Sequence, residues 1–199
     1  MKKVINCYKE FNPVIQRKLK EVTVEEGLEI ATELFNILNE RKDGIGLAAN
    51  QVGINASVAV LNVREPIILI NPVITKQWDE IDYYEGCLSY PEKGVHTKRY
   101  KNIIIQTAQE ESGWYFSGVE TGKDDEGERL LEAVCVQHEI DHLNGMTIHD
   151  RKIDTTIKTE KKIGRNQKVL IACGPDSQVM KYKKAKSLLE NGWTLVEPS

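Results

Sequence analysis

The segment Gln137-His138-Glu139-Ile140-Asp141-His142 gathers the residue types best suited to chemistry. On a helix, positions four apart lie one turn above each other on one face. His138 and His142 can therefore turn both imidazoles toward a single metal ion. Glu139 stands between them, where a carboxylate serves as general base toward a water activated by that metal. The pattern points to hydrolysis. It leaves open which bond is cut.

Two imidazoles need a further protein ligand. A metzincin peptidase would carry a third histidine six residues after His142, where this chain has Ile148. His149 misses that position by one, which swings it away on a helix or tight turn. Peptidases that use a downstream glutamate would have to recruit Glu160, which lies in a lysine-rich stretch without a supporting motif. Cys87, in Glu85-Gly86-Cys87-Leu88-Ser89, is the better donor. Gly86 beside it would let the backbone approach the metal closely. The run Gly44-Ile45-Gly46-Leu47-Ala48-Ala49-Asn50-Gln51 adds a loop of small residues that can press against a ligand, with a polar side chain, Gln51, at its end.

These residues need elements to hold them. The spacing predicts a helix over 128–144, led by the acids at 124–128 and ended by Gly145. Leu131, Val134, Cys135 and His138 share a stripe on it, so the metal pair would continue a buried face. A second helix should start at a Thr23 cap, with Glu25 and Glu26 in its first turn. It would run through Leu28, Ala31, Leu34, Phe35 and Leu38 to about Arg41. Strands are predicted over 57–63, 67–74, 95–109 and 114–119, with a turn at Glu111-Ser112-Gly113. Residues 155–199 read as a small unit of their own. It would have strands at 168–173 and 178–182, a helix over 184–191 stopped by Gly192, and a strand at 193–196. The fold class expected is α+β, with antiparallel strands packed around a central helix that carries the metal motif. Residues 1–154 would form the catalytic domain and 155–199 a basic C-terminal extension.

The net charge of -3 conceals an asymmetry: residues 1–150 carry -9 and residues 151–199 carry +6. A basic tail on an acidic body suits a polyanionic partner such as RNA, against the plainer reading of a solvated lysine surface. The most apolar stretch, 57–74, is interrupted by Arg64-Glu65-Pro66, which reads as two strands and a turn and not a membrane span. The N-terminus reaches Lys9 and Glu10 without the apolar core of a signal peptide, so a cytoplasmic location is expected. The four cysteines form no Cys-x-x-Cys pair, and Cys7, Cys135 and Cys173 are expected to be small buried hydrophobes. His96 should lie on a strand surface and His149 at a turn. Asp141 should orient a ligand or the helix, and Cys135 should line the pocket without acting as a nucleophile.

Taken together, the segments at 44–51, 85–89 and 137–142 resemble the peptide deformylase family. Ile70-Asn71-Pro72, Arg99 and Asp150 add to the likeness, which spans roughly 44–151. The resemblance implies removal of formate from N-formylmethionyl nascent peptides. It implies that Cys87, His138 and His142 bind one divalent metal, Fe²⁺ in the cell, with Zn²⁺, Ni²⁺ or Co²⁺ able to replace it. Glu139 would be the general base, and the Gln51 side-chain amide and the Leu88 backbone N–H would stabilise the oxyanion. Gly46 would pair its backbone with an extended peptide. Ile45, Tyr83, Glu85, Leu88, Val134 and His138 would border the methionine pocket. A nascent substrate places the enzyme near the ribosome, which the basic extension could help it reach, and a monomer is expected. Two other readings stand beside this one: a zinc endopeptidase, and an RNA- or ribosome-binding protein with a structural metal.

Overall fold

A computed structural model describes residues 2–41, 43–118, 126–153, 166, 168–173, 176–189 and 193–196. Helix α1 (Val24–Asn39) begins where the Thr23 hydroxyl accepts a hydrogen bond from the Glu26 N–H at 3.2 Å. Its buried side carries Gly27, Ala31, Leu34, Ile37 and Leu38. Leu28, expected in this stripe, is exposed instead. Gly27 takes the inward position because a Cβ there would lie 2.6 Å from the Ile70 side chain.

Two antiparallel three-stranded sheets follow. Strands β1 (Gly46–Ala48), β2 (Val58–Asn62) and β3 (Pro66–Ile70) pair in that order. So do β4 (Val73–Cys87), β5 (Tyr90–Thr107) and β6 (Glu110–Ser117). The single strand predicted over 67–74 is broken at Asn71-Pro72. Asn71 has a φ of 49°, and its side chain both accepts from the Val22 N–H at 3.1 Å and donates to the Val22 carbonyl at 2.8 Å. Pro72 has no N–H to continue a ladder, so the chain leaves one sheet and enters the other. The turn predicted at 111–113 sits earlier, at Ala108-Gln109, since Thr107 pairs with Glu110. Gly113, with a φ of 81°, lies inside β6 opposite a register shift between Ile105 and Thr107. Such a bulge is where a left-handed glycine is favoured. Val119 and the acids at 124 and 125 lie outside the described residues.

Helix α2 (Glu126–Leu143) carries the histidine pair and packs against β1, β2, β5 and β6. Every residue from 132 to 143 is buried, so the helix is central to this unit and not merely amphipathic. Its polar residues consequently need partners inside the protein. Gln137 shows how: its Oε1 accepts from the Tyr100 N–H at 2.9 Å and its Nε2 donates to the Tyr100 carbonyl at 2.8 Å, pinning α2 to β5. Gly145, with a φ of 76°, ends the helix where a Cβ would strike the Arg17 backbone.

The chain divides into two compact units, Met1–Ile153 and Asp154–Ser199. The second contains β7 (Lys168–Cys173), β8 (Asp176–Lys181), α3 (Tyr182–Leu189) and β9 (Thr194–Val196), with antiparallel order β8-β7-β9. Val169, Ile171 and Ala185 form its small core. Cys173 was expected to be buried. It is exposed, at the end of β7. Cys7 is half-buried, and Cys135 is buried as expected. Gly174, Pro175 and Gly192 lie outside the described residues. No described helix is long and apolar enough to cross a membrane.

Candidate metal centre

Cys87 is the last residue of β4, and Leu88-Ser89 turn the chain into β5. His138 and His142 come from successive turns of α2, their ring centroids 4.9 Å apart. The hairpin end and the central helix thus bring three donor atoms together, all within 4.8 Å of one another. The Cys87 Sγ stands 3.2 Å from the His142 Nε2. All three residues are buried. Among the described residues, no other cluster of three His, Cys, Asp or Glu donors exists. One soft sulfur with two imidazoles suits a divalent transition metal, and the burial limits competing water.

The ligand orientation is enforced from behind. The His138 Nδ1 faces the Glu85 carboxylate at 3.3 Å, which reserves the other ring nitrogen for a metal. Glu85 is gripped in turn by Arg99, whose Nε and Nη2 donate to it at 3.0 and 2.5 Å. Burial opposes the charge on Glu85, but His138 and Arg99 outweigh it and hold the carboxyl at about 2. Arg99 also donates to Asp141 at 2.5 Å, and Arg151 clamps Asp141 at 3.0 and 2.7 Å. Asp141 therefore orients the ligand indirectly, through Arg99 and Glu85. Burial, helped by the Arg99 charge, pushes His142 well below its ordinary range, which favours the neutral imidazole a metal needs.

Glu139 is almost fully buried, and its Oε2 has no hydrogen-bond partner. Burial, reinforced by the Glu85 charge, pushes its carboxyl up to about 7. Gly46 is what lets β1 lie against this residue: a Cβ there would collide with the Glu139 carboxylate and come within 2.8 Å of the Cys135 sulfur. Gln51 accepts from the Ala48 N–H at 2.9 Å, which aims its amide at the Cys87 sulfur (3.6 Å) and the Ser89 hydroxyl (3.3 Å). Asn50 donates to the His142 carbonyl at 2.7 Å and steadies that turn of α2.

A cavity of about 450 Å³ opens over these groups. Ile45, Gly46, Gln51, Tyr83, Glu85, Cys87, Leu88, Val134, His138 and Glu139, all singled out in the sequence, lie on its wall, and His142 sits behind it. Cys135 is on the same wall, and burial raises its thiol well above its ordinary range, so it lines the cavity as an inert group. Glu85 lies on the cavity wall and at the same time is bound to Arg99 and His138, so it also holds a ligand. A Cβ on Gly86 would meet no protein atom within 4 Å, so this glycine leaves room in the cavity. His96 pairs with Asp82 on the sheet surface at 2.7 Å, and His149 packs edge-on to Tyr90. The parts in this support played by Arg151 and Gln137 were not read from the sequence. Arg151 reaches Asp141 on α2, and Gln137, itself on α2, reaches the Tyr100 backbone on β5, contacts across the fold that no local pattern marks.

The family model for polypeptide deformylase matches residues 3–159. The chain belongs to that family. Deformylases with curated names agree along most of their length. That of Dictyoglomus thermophilum is 39% identical over 155 residues, which cover 76% of this chain and 94% of the relative. That of Natranaerobius thermophilus is 40% identical, with 70% and 86% covered. Among solved structures, the peptide deformylase from Thermotoga maritima superposes with a TM-score of 0.59 at 33% identity, covering 77% of this chain and 98% of that one. A deformylase from a Vibrio parahaemolyticus bacteriophage, solved in complex with actinonin, gives 0.58 at 32% identity, covering 73% and 98%. Membership makes the chain a metal-dependent hydrolase, and the Cys87/His138/His142 cluster is its site for a divalent metal.

Proposed function

We propose that this chain hydrolyses the formamide of N-formylmethionyl nascent peptides, releasing formate and a free amine. The observation that carries the reading is one thiol and two imidazoles within 4.8 Å, with a buried carboxylate adjoining them that has an oxygen without a partner. Cys87, His138 and His142 would hold the ion, which we assign as Fe²⁺ in the cell, with Zn²⁺, Ni²⁺ or Co²⁺ as substitutes. When bound, a divalent ion supplies Lewis acidity, polarising the formyl carbonyl and making water reactive near neutral pH. Glu139 takes a proton from the attacking water and delivers it to the departing amine as the C–N bond breaks. Its elevated pKa suits both halves of that task. The negative oxygen of the tetrahedral stage is met by the Gln51 side-chain amide and the Leu88 backbone N–H.

Substrate placement follows from the sheets. β1 is an edge strand whose outer side pairs with no described strand, so the backbone at Gly46 can take an extended peptide as an added strand. Ile45, Tyr83, Leu88 and Val134 offer an apolar wall to the methionine side chain, with His138 and Glu85 at its inner border. Nascent peptides place the work in the cytoplasm beside the ribosome. The +6 charge of residues 151–199 supports a role for the extension, 155–199, in meeting ribosomal RNA.

The deciding experiment is formate release from formyl-Met-Ala-Ser by anaerobically purified protein, wild type against Glu139→Gln. The variant should fold and retain metal while its rate falls by about 10²–10⁴, the usual contribution of a positioned proton carrier. A variant as active as the wild type overturns the assignment. An endopeptidase would instead cut unformylated peptides internally.

A further inference from the structure

A second cavity, of about 500 Å³, lies away from the metal centre, between the start of β4 and the last turn of α2. Its wall includes Lys18, Lys76 and Arg151 as cations and Asp141 as the one carboxylate. That carboxylate is already spoken for, because Arg99 and Arg151 both donate to it. Arg151 binds Asp141 through Nε and Nη2, and its side chain, on the cavity wall, is 43% exposed. Neither Lys18 nor Lys76 makes an ion pair with any described residue. Like charges placed around a concavity raise its potential and favour an anion there.

The surroundings narrow the class of anion. Lys76 lines the cavity and also holds its ammonium 5.2 Å over the Trp78 ring, which stacks on Tyr115 at 5.7 Å. Tyr115 is 57% exposed. Two ammonium groups and a guanidinium suit a phosphate better than a single-charged carboxylate. Trp78 and Tyr115 do not line the cavity, so its cations alone define the ligand as a phosphate. We propose that this cavity is a phosphate-binding site, able to take the phosphate of a free nucleotide or of an RNA strand. It is separate from the formamide site, since the two cavities share no wall residue.

The test titrates inorganic phosphate, adenosine monophosphate and a single-stranded oligouridine into metal-loaded full-length protein, by calorimetry in a chloride buffer. The comparison is a Lys18→Gln/Lys76→Gln double variant, whose formate release without phosphate should equal that of the wild type. Phosphate should bind the wild type, and the variant should bind about tenfold more weakly, the loss expected from two partly exposed charge contacts. If the mononucleotide and the oligomer bind alike, the occupant is a free phosphate compound. If only the oligomer tightens, and loses that gain in the variant, it is RNA. No heat with any of the three, or equal affinity in variant and wild type, overturns the site.

Discussion

A ligand that sits in a helix is only as well aimed as the group that holds its far side. His138 depends on Glu85, and Glu85 on Arg99, so one ligand and two buried charges share one fate. Replacing Glu85 with Gln should leave the Arg99 guanidinium short of a counter-charge. Breaking one side of a buried pair costs about 3–5 kcal/mol, and thermal unfolding should fall accordingly. Losing the partner of a ligating histidine lowers metal affinity by roughly 10–100-fold, which competition with a chelator measures. A variant that unfolds early but binds metal as tightly as the wild type would reduce Glu85 to a structural role. At this scale the sequence is most readable where chemistry is local: His138, Glu139 and His142 occupy one and a half turns of helix. Arg99 is harder to read, because its partners lie 14 and 42 residues away. Nothing in its strand neighbours, Lys98 and Tyr100, marks it as buried.

Elements bring these residues together through contacts that tolerate little extra volume. β1 crosses α2 at Gly46, where the Glu139 carboxylate and the Cys135 sulfur fill the space a side chain would need. Gly46→Ala must therefore either lift β1 or move Glu139. Overpacking of this kind costs about 1–3 kcal/mol. The proposed base would shift with it, so formate release should fall sharply while bound metal, measured by elemental analysis, stays at one ion per chain. Unchanged turnover would mean that the strand gives way freely and that the close approach has no catalytic use. Helix α1 was legible because its apolar period and its Thr23 cap agree. The long β4–β5 hairpin was legible only in part. Most of β4 is exposed or half-exposed on both faces, and charges at Lys76, Asp79, Glu80 and Asp82 hide any alternation. Asn71 hides the break before β4, since a residue in the left-handed region looks like any other polar residue until its bonds to Val22 are seen.

For the molecule as a whole, charge and compactness divide the chain at about the same place. The first unit ends in contacts that a truncation has to spare: Arg151 clamps Asp141, Lys152 bridges to Thr97, and the Ile153 N–H donates to the His96 carbonyl at 2.9 Å. A chain stopped before residue 148 would also lose buried Ile148. Ending it after Ile153 keeps every one of these ties, and the metal centre and its cavity lie wholly within what remains. Such a chain should release formate from a formyl tripeptide as fast as the full protein, because the small substrate meets only the first unit. Its association with ribosomes should differ. The remaining unit carries the acidic part of the charge, and attraction to RNA phosphates falls steeply as salt rises. Co-sedimentation with ribosomes at low salt should therefore be strong for the full chain, weaken with added salt, and be much reduced for the truncated one. Equal co-sedimentation of the two would remove the extension from the encounter and leave the +4 charge of residues 154–199 as ordinary solvated surface. Loss of tripeptide activity on truncation would show instead that residues 154–199 support the catalytic unit directly.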